Sequence, residues 1–359
     1  MASRPYKVAI IGYGMSAKVF HIPLIRVSPA FNLYAIVQRS PTADNDASKD
    51  HPDIILYRSS EEMVQDSAVD VVVICTIPTT HFELCRLAMV NHKHVIVEKP
   101  FTVTSQEADD LINIAVNRDL FLTVYQNRRW DTDFLTLSKL LKEDTLGRVV
   151  EFETHFDRHR PEAPKGGWKT KPLPGGGAIY DLGTHLMDQV VVLFGLPDRI
   201  TGFVGSQRAH NPEGVDDSCT VLMHYDSGLM ATVKAGVVSP EVSQLRYWIR
   251  GEKGSYKKFH LDCQEEQLKA GKKPGDPSFG IESEDRAGTL TVIRDGQSTS
   301  QPCPNIEPVT YSAFYNDFAK AIDGQGKVPV PVEAKGAMGV IRLIELARLS
   351  SKEGRTLKK

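Results

Sequence analysis

The stretch Lys7-Val8-Ala9-Ile10-Ile11-Gly12-Tyr13-Gly14-Met15-Ser16-Ala17 decides the fold. Residues 7–11 are a β-rich apolar run that stops at a glycine, and residues 12–17 match G-x-G-x-x-A. Glycine at the first two positions permits a tight turn and lets the backbone approach a pyrophosphate, while the small Ala17 lets the next helix pack close to the strand. A helix N-terminus there offers N–H groups and positive partial charge to a phosphate. The stretch therefore reads as strand, turn and helix built for a dinucleotide. The plainer alternative is a tight βα turn without a ligand. Gly12, Tyr13, Gly14, Met15 and Ala17 are the first cofactor-binding candidates.

Outward from this stretch, strand and helix alternate. Residues 18–27 fit a helix that Pro23 must interrupt or kink. Strands are predicted over 33–38, 70–75, 94–97 and 121–125, with helices over 82–91 and 105–118. The run Asp70-Val71-Val72-Val73-Ile74-Cys75 is short and nearly all apolar, as in a strand buried on both faces of a parallel sheet. This βαβα order predicts a parallel sheet with helices on both faces. After about residue 126 the periodicity changes. Helices are predicted over 134–141, 178–194, 311–322 and 334–352, and alternating strands over 147–157, 200–206, 219–225, 230–237, 245–250 and 289–294. That pattern predicts a second α/β domain with an antiparallel or mixed sheet, so we divide the chain into domains 1–126 and 127–359. Residues 264–287, polar and rich in Gly, Pro, Lys and Glu, read as a surface excursion or part of an interface.

Composition narrows the function classes. The 359 residues carry 43 Lys and Arg against 45 Asp and Glu, a formal net charge of −2, so no basic surface for nucleic acid is expected. No apolar run approaches the roughly 18 residues of a membrane span. Residues 8–11 are too short for the core of a signal peptide. Five scattered cysteines without a Cys-x-x-Cys pair point to reduced thiols, a cytoplasmic setting and no zinc site.

The ribose of a dinucleotide is read at the end of the second strand, where an acidic residue would hold its 2′-hydroxyl. Here the residues are Val37-Gln38-Arg39-Ser40, with no carboxylate. Arg39 and Ser40 suit a 2′-phosphate through charge-assisted hydrogen bonds, so NADP(H) is favoured over NAD(H).

Two further features carry chemistry. The strand over 94–97 ends in Glu98-Lys99-Pro100, at the edge where such sheets bind ligands, so Lys99 is placed to donate to a substrate hydroxyl or carbonyl. Asp181-Leu182-Gly183-Thr184-His185 sets a carboxylate and an imidazole on one helix face, a pair suited to proton transfer at an alcohol oxygen. Without a third ligand, Asp181 and His185 do not make a metal site. Asn127 and Arg129 follow the strand over 121–125 and are candidates for nicotinamide or substrate contact. Arg158 and Trp168 are candidates for substrate contact, Trp168 from the loop Lys165-Gly166-Gly167-Trp168. Tyr311 and Tyr315, four apart on a helix, read as core packing.

Together, Gly12-x-Gly14-x-x-Ala17, Cys75-Thr76-Ile77-Pro78-Thr79-Thr80-His81, Glu98-Lys99-Pro100 and Asp181-x-x-x-His185 resemble the Gfo/Idh/MocA oxidoreductase family over nearly the whole chain. A narrower resemblance, carried by Tyr125-Gln126-Asn127-Arg128-Arg129-Trp130, Pro174-Gly175-Gly176-Gly177 and Gly251-Glu252-Lys253-Gly254-Ser255, is to its subgroup of NADP-dependent scyllo-inositol dehydrogenases. The resemblance implies a Rossmann domain followed by an α/β domain whose open, mostly antiparallel sheet forms a dimer or higher homo-oligomer. It also implies Lys99, Asp181 and His185 as the catalytic set, with His185 as base, Lys99 polarising the same oxygen, and Asp181 orienting His185 or binding substrate. Thr76, Pro78, His81 and Glu98 join the implied cofactor contacts. The expected function is hydride transfer between nicotinamide and a cyclic polyol, sugar or related hydroxyl or carbonyl compound. The alternative is a dinucleotide-binding regulator of the same fold without catalysis.

Overall fold

The computed structural model describes residues 4–163 and 168–359. The chain forms two compact units. One comprises the residues up to Asn127 with Gln264–Phe279 and Val309–Met338, and the other comprises Arg128–Cys263, Gly280–Pro308 and Gly339–Lys359.

In the first unit, β1 (Tyr6–Ile11), β2 (Phe31–Val37), β3 (Ile55–Tyr57), β4 (Val71–Ile74), β5 (His94–Val97) and β6 (Leu122–Val124) form a sheet in the order β3-β2-β1-β4-β5-β6. Every pairing is parallel. The order reverses between β1 and β4, and such switch points open a crevice at the carboxyl ends of the strands. All four residues of β4 are fully buried, which explains why the run carries no polar alternation. After β1 the chain winds as a π-helical turn, Ala17–His21, and then as the helix Ile22–Val27. Pro23 stands in the first turn of that helix, where its missing N–H costs nothing.

In the second unit, β7 (Val149–Asp157), β8 (Arg199–Gly205), β9 (Ser218–His224), β10 (Met230–Gly236), β11 (Leu245–Gly251), β12 (Gly254–Phe259), β13 (Gly288–Arg294), β14 (Gln297–Cys303) and β15 (Leu357–Lys358) form the sheet β14-β13-β12-β11-β7-β10-β9-β8-β15. Only the β7–β10 pairing is parallel among the described residues, so the sheet is mixed and mostly antiparallel, as expected. The helix Thr184–Phe194 lies against β7 and β10.

Two sequence expectations change. The division at 126/127 follows the chain, but the first unit also takes up two later stretches. Phe314, Tyr315 and Phe318 of the helix Ser312–Asp323 are fully buried, and their rings meet Tyr125 and Phe31 of the first unit. Residues 264–287 are not simply a surface excursion. Their first part forms the helix Gln264–Lys269, whose Gln264 and Leu268 are buried, and Phe279 is buried beyond it. Three anchors in a polar stretch leave no period to read. One of them, Gln264, is itself polar and is held by the backbone N–H of Tyr311, which donates to its Oε1 at 2.9 Å.

Candidate active site

The glycine turn has the required shape. Gly12 sits at φ +97°, and a Cβ there would come within 2.8 Å of the Cys75 carbonyl oxygen, so both conformation and space demand glycine. A Cβ on Gly14 would meet nothing within 4 Å, so no protein atom explains that glycine. It leaves the open approach that a pyrophosphate needs. Ala17 is fully buried, consistent with close helix packing, and Met15 is exposed. The Tyr13 side chain faces inward: its hydroxyl donates to Asp50 Oδ2 at 2.6 Å, and Lys18 Nζ lies 4.3 Å from its ring centroid. The Tyr13 phenol is thus engaged within the protein.

At the end of β2, Gln38 is buried and tied down at both ends of its amide. Its Nε2 donates to the Asn45 carbonyl at 2.7 Å, and its Oε1 accepts from Ala47 N at 2.8 Å. Arg39 and Ser40 follow it and are exposed, so the strand end presents a cation and a hydroxyl and no carboxylate.

At the ends of β4 and β5, three candidates are engaged within the protein. His81 is fully buried, with Nδ1 2.9 Å from the Pro100 carbonyl and Nε2 3.2 Å from the Thr76 carbonyl. Burial lowers its imidazole pKa, and the ring ties two strand-end loops together. Pro78 is buried in the turn Pro78–Thr80, and the Thr80 hydroxyl donates to Thr76 Oγ1 at 2.7 Å. The Glu98 carboxylate also points into the protein. It accepts from the Ser16 hydroxyl and faces His21 Nε2 at 3.1 Å, and its other oxygen accepts from Lys99 N at 3.0 Å. His21 Nδ1 continues the chain to the Tyr315 hydroxyl at 2.6 Å. Burial pushes the Glu98 carboxyl up, but the hydrogen bond and charge of His21, the Ser16 hydroxyl and the charge of Lys99 outweigh it, so it stays below its ordinary pKa. Glu98 thus ties the glycine turn to the strand end that carries Lys99. Lys99 is half-buried and precedes Pro100 through a cis peptide bond.

In the second unit, Asp181 lies in the π-helical turn Ile179–Gly183 and His185 in the first turn of the helix Thr184–Phe194. The start of this segment is locked. Asp216 accepts from Ile179 N at 3.1 Å and from Arg348 Nη1 at 2.7 Å. Gly177, at φ +88°, leaves the room that this carboxylate fills, because a Cβ there would fall 2.2 Å from Asp216 Oδ1. Asp181 receives Lys169 Nζ at 2.9 and 3.0 Å. Lys169 and Asp216 were not among the sequence candidates, because neither belongs to a motif. Trp168 lies in the turn Trp168–Thr170, with Lys169 Nζ 5.5 Å from its ring centroid. The loop residues 165–167 proposed to carry Trp168 lie outside the described residues.

One turn beyond His185 the same helix is clamped again. Arg129, a candidate ligand contact, forks its guanidinium onto Asp188, with both N···O distances 2.7 Å. Such a bidentate pair positions two backbones. Gln189, fully buried, donates to the Arg128 carbonyl at 2.8 Å and accepts from Arg246 Nη2 at 2.9 Å and Tyr247 Oη at 3.0 Å. Behind it, Arg246 meets Asp133 at 3.2 Å and Asp131 at 3.7 Å, Arg128 meets Asp131 at 3.2 Å, and Asp262 accepts from Thr132 N at 2.7 Å. Asn127, buried, begins the turn Asn127–Trp130 that feeds this network. Burial pushes the Asp131 carboxyl well above the usual carboxylate range; Arg128 pulls it back, and Asp262 and Asp133 push it further up. Arg158 packs its guanidinium 5.2 Å from the centroid of Phe156.

Among the described residues no cluster of His, Cys, Asp or Glu is arranged to hold a metal ion, and no helix is long and apolar enough to cross a membrane.

Comparison with known proteins places these features. Residues 6–126 match the model of an oxidoreductase-family NAD-binding Rossmann fold, and residues 138–358 match that of the C-terminal α/β domain of the same family. An uncharacterized oxidoreductase of Schizosaccharomyces pombe is 37% identical, covering 98% of this chain and 99% of its own. The scyllo-inositol 2-dehydrogenase (NADP(+)) IolW of Bacillus subtilis is 36% identical, covering 98% of this chain and 95% of its own. Among solved structures, yvaA from Bacillus subtilis has a TM-score of 0.93 at 34% identity, covering 100% of both chains. Both family models, taken in order along one chain whose two sheets have the matching architectures, lead to one assignment: this chain belongs to the Gfo/Idh/MocA oxidoreductase family.

Proposed function

We propose that the protein is an NADP(H)-dependent dehydrogenase or reductase acting on the CH–OH or carbonyl group of a cyclic polyol, sugar or related compound. The observation that carries this reading is the buried scaffold behind Lys99 and His185. Glu98 holds the strand end before Lys99, and Asp216, Asp188 and Gln189 hold the helix of His185. A dinucleotide-binding regulator without catalysis has no need to hold a lysine and a histidine so firmly.

The residues present fit the cofactor. The open space at Gly14, the backbone of Tyr13 and Met15, and the exposed Arg39 and Ser40 suit a pyrophosphate and a 2′-phosphorylated ribose, with Thr76, Pro78 and Asn127 supplying walls. When bound, NADP(H) supplies or accepts the hydride. Lys99 donates to the substrate oxygen and polarises it. His185 takes the hydroxyl proton on oxidation and returns it on reduction. Asp181, already neutralised by Lys169, orients His185 or the substrate. Arg158 and Trp168 contribute to substrate contact. The name of the Bacillus subtilis relative, with its NADP(+) and scyllo-inositol, supports both cofactor and substrate class. We further propose a cytoplasmic homo-oligomer formed through the sheet of the second unit, where Phe203 and Ile293 are 62% and 55% exposed.

The test is a panel of cyclic polyols, aldoses and their ketones, assayed in both directions with each cofactor. Turnover with NADP(H) well above that with NAD(H) is expected. Tight NADPH binding without turnover on any member favours the regulator.

A further inference from the structure

We propose that Arg58 is a second cation for the 2′-phosphate of the cofactor, acting beside Arg39. This inference rests on the NADP(H) reading above and adds a specificity residue to it.

The argument begins with register. β2 and β3 pair in parallel with Ala35 opposite Ile55, Ile36 opposite Leu56 and Val37 opposite Tyr57. The next residues on the two strands, Gln38 and Arg58, therefore emerge side by side at the same sheet edge. The backbone confirms the adjacency, because Gln38 N donates to the Tyr57 carbonyl at 3.0 Å. Arg58 then folds back over the end of β2, and its Nη1 donates to the Gln38 carbonyl at 3.1 Å. That carbonyl belongs to the peptide joining Gln38 to Arg39. The Arg58 guanidinium is thus fixed beside the residue already proposed to receive the phosphate.

Its donor capacity is largely unspent. A guanidinium has five N–H donors, and the bond to Gln38 is the one hydrogen bond Arg58 makes among the described residues. Both Arg39 and Arg58 are exposed. The platform between them is rigid, because Gln38 is buried and bonded to Asn45 and Ala47. The charge of Arg58 acts on a nearby acid, Asp46. Its carboxylate accepts from Ser48 N at 3.0 Å and Ser48 Oγ at 2.7 Å. It is engaged by its own helix cap and does not take a hydrogen bond from Arg58.

Charge decides which ligand suits the pair. A ribose 2′-hydroxyl is neutral and needs one or two hydrogen bonds. A phosphate monoester carries about −1.5 to −2 charges and three acceptor oxygens, which matches two guanidiniums at one strand end. Sequence reading could not reach Arg58, because β3 is three residues long and the register alone brings it to this edge.

The experiment is fluorescence titration of NADPH and NADH into the wild-type protein, Arg39→Ala, Arg58→Ala and Arg58→Lys. Arg58→Ala is expected to raise the Kd for NADPH about tenfold or more, in line with loss of a charge-assisted hydrogen bond, with less than about a twofold change for NADH. Arg58→Lys is expected to lie between, which separates charge from local folding. If Arg39→Ala weakens NADPH selectively while Arg58→Ala changes both cofactors equally or neither, this inference is overturned and the NADP(H) reading stands. If wild-type protein binds both cofactors equally and Arg39→Ala does not discriminate them, the NADP(H) reading itself fails and this inference with it.

Discussion

Two buried carboxylates, Glu98 in the first unit and Asp131 in the second, share a setting and differ in charge state. Glu98 directly precedes Lys99, Asp131 directly follows the turn Asn127–Trp130, and each is almost removed from water. Glu98 is a lone acid served by the Ser16 hydroxyl, His21 and the N–H of Lys99, and its pKa is lowered. Asp131 faces the guanidiniums of Arg128 and Arg246, Arg246 also meets a second carboxylate, Asp133, and Asp262 lies near enough to be felt; the pKa of Asp131 is raised. Burial acts the same way on both. The surrounding donors and acids decide the sign, lowering one carboxyl and raising the other.

The largest way to break this comparison is Arg246→Met. It removes one of two cations from a cluster of buried acids, and uncompensated buried charge costs about 3–5 kcal/mol. Equilibrium denaturation should show that loss; a variant as stable as the wild type would mean that the cluster is balanced without Arg246. Glu98→Gln is expected to cost less, about 1–3 kcal/mol, because the shape is kept while an amide N–H2 is forced against donors. The same variant should lower turnover by loosening the strand end before Lys99, and stability loss with turnover unchanged would confine Glu98 to folding.

The pH dependence sharpens the contrast, because the two signs oppose. A lowered carboxylate contributes stability above its unfolded pKa and loses it as pH falls through the lowered value. For Asp131 the native state keeps a proton that the unfolded chain has released, so stability falls as pH rises from the ordinary carboxylate range through the raised value. Thermal melts should therefore lose their acid limb in Glu98→Gln and their downward slope toward neutral and alkaline pH in Asp131→Asn. Identical profiles for the two variants would remove the distinction.

How far the sequence could be read follows the same division. The parallel sheet was readable because β1, β4 and β5 are short apolar runs ended by glycine, proline or a polar strand end, and buried strands have no other way to look. Arg39 stood out because a carboxylate is missing beside it. β3 and β14 were not foreseen: β3 is three residues long, and β14 (Gln-Ser-Thr-Ser-Gln-Pro-Cys) is an exposed edge strand with little apolar signal. The motifs located Lys99, Asp181 and His185 but not what stands behind them. Arg129 was named because it follows the strand predicted to end at Tyr125; the partner it forks onto, Asp188, lies 59 residues later and only folding brings it there. Glu98 and His81 carried the same ambiguity, since a polar residue in a motif reads alike whether it touches a ligand or braces the residue that does.

The central claim is that Lys99 acts on the substrate oxygen of an NADP(H)-dependent oxidoreductase. Its most direct test is single-turnover NADPH oxidation by Lys99→Ala, run with NADPH binding measured on the same protein. The account predicts binding within about twofold of wild type and a hydride-transfer rate lowered about 100-fold or more, as for loss of one acid–base group. An unchanged rate with the best substrate of the panel would contradict it.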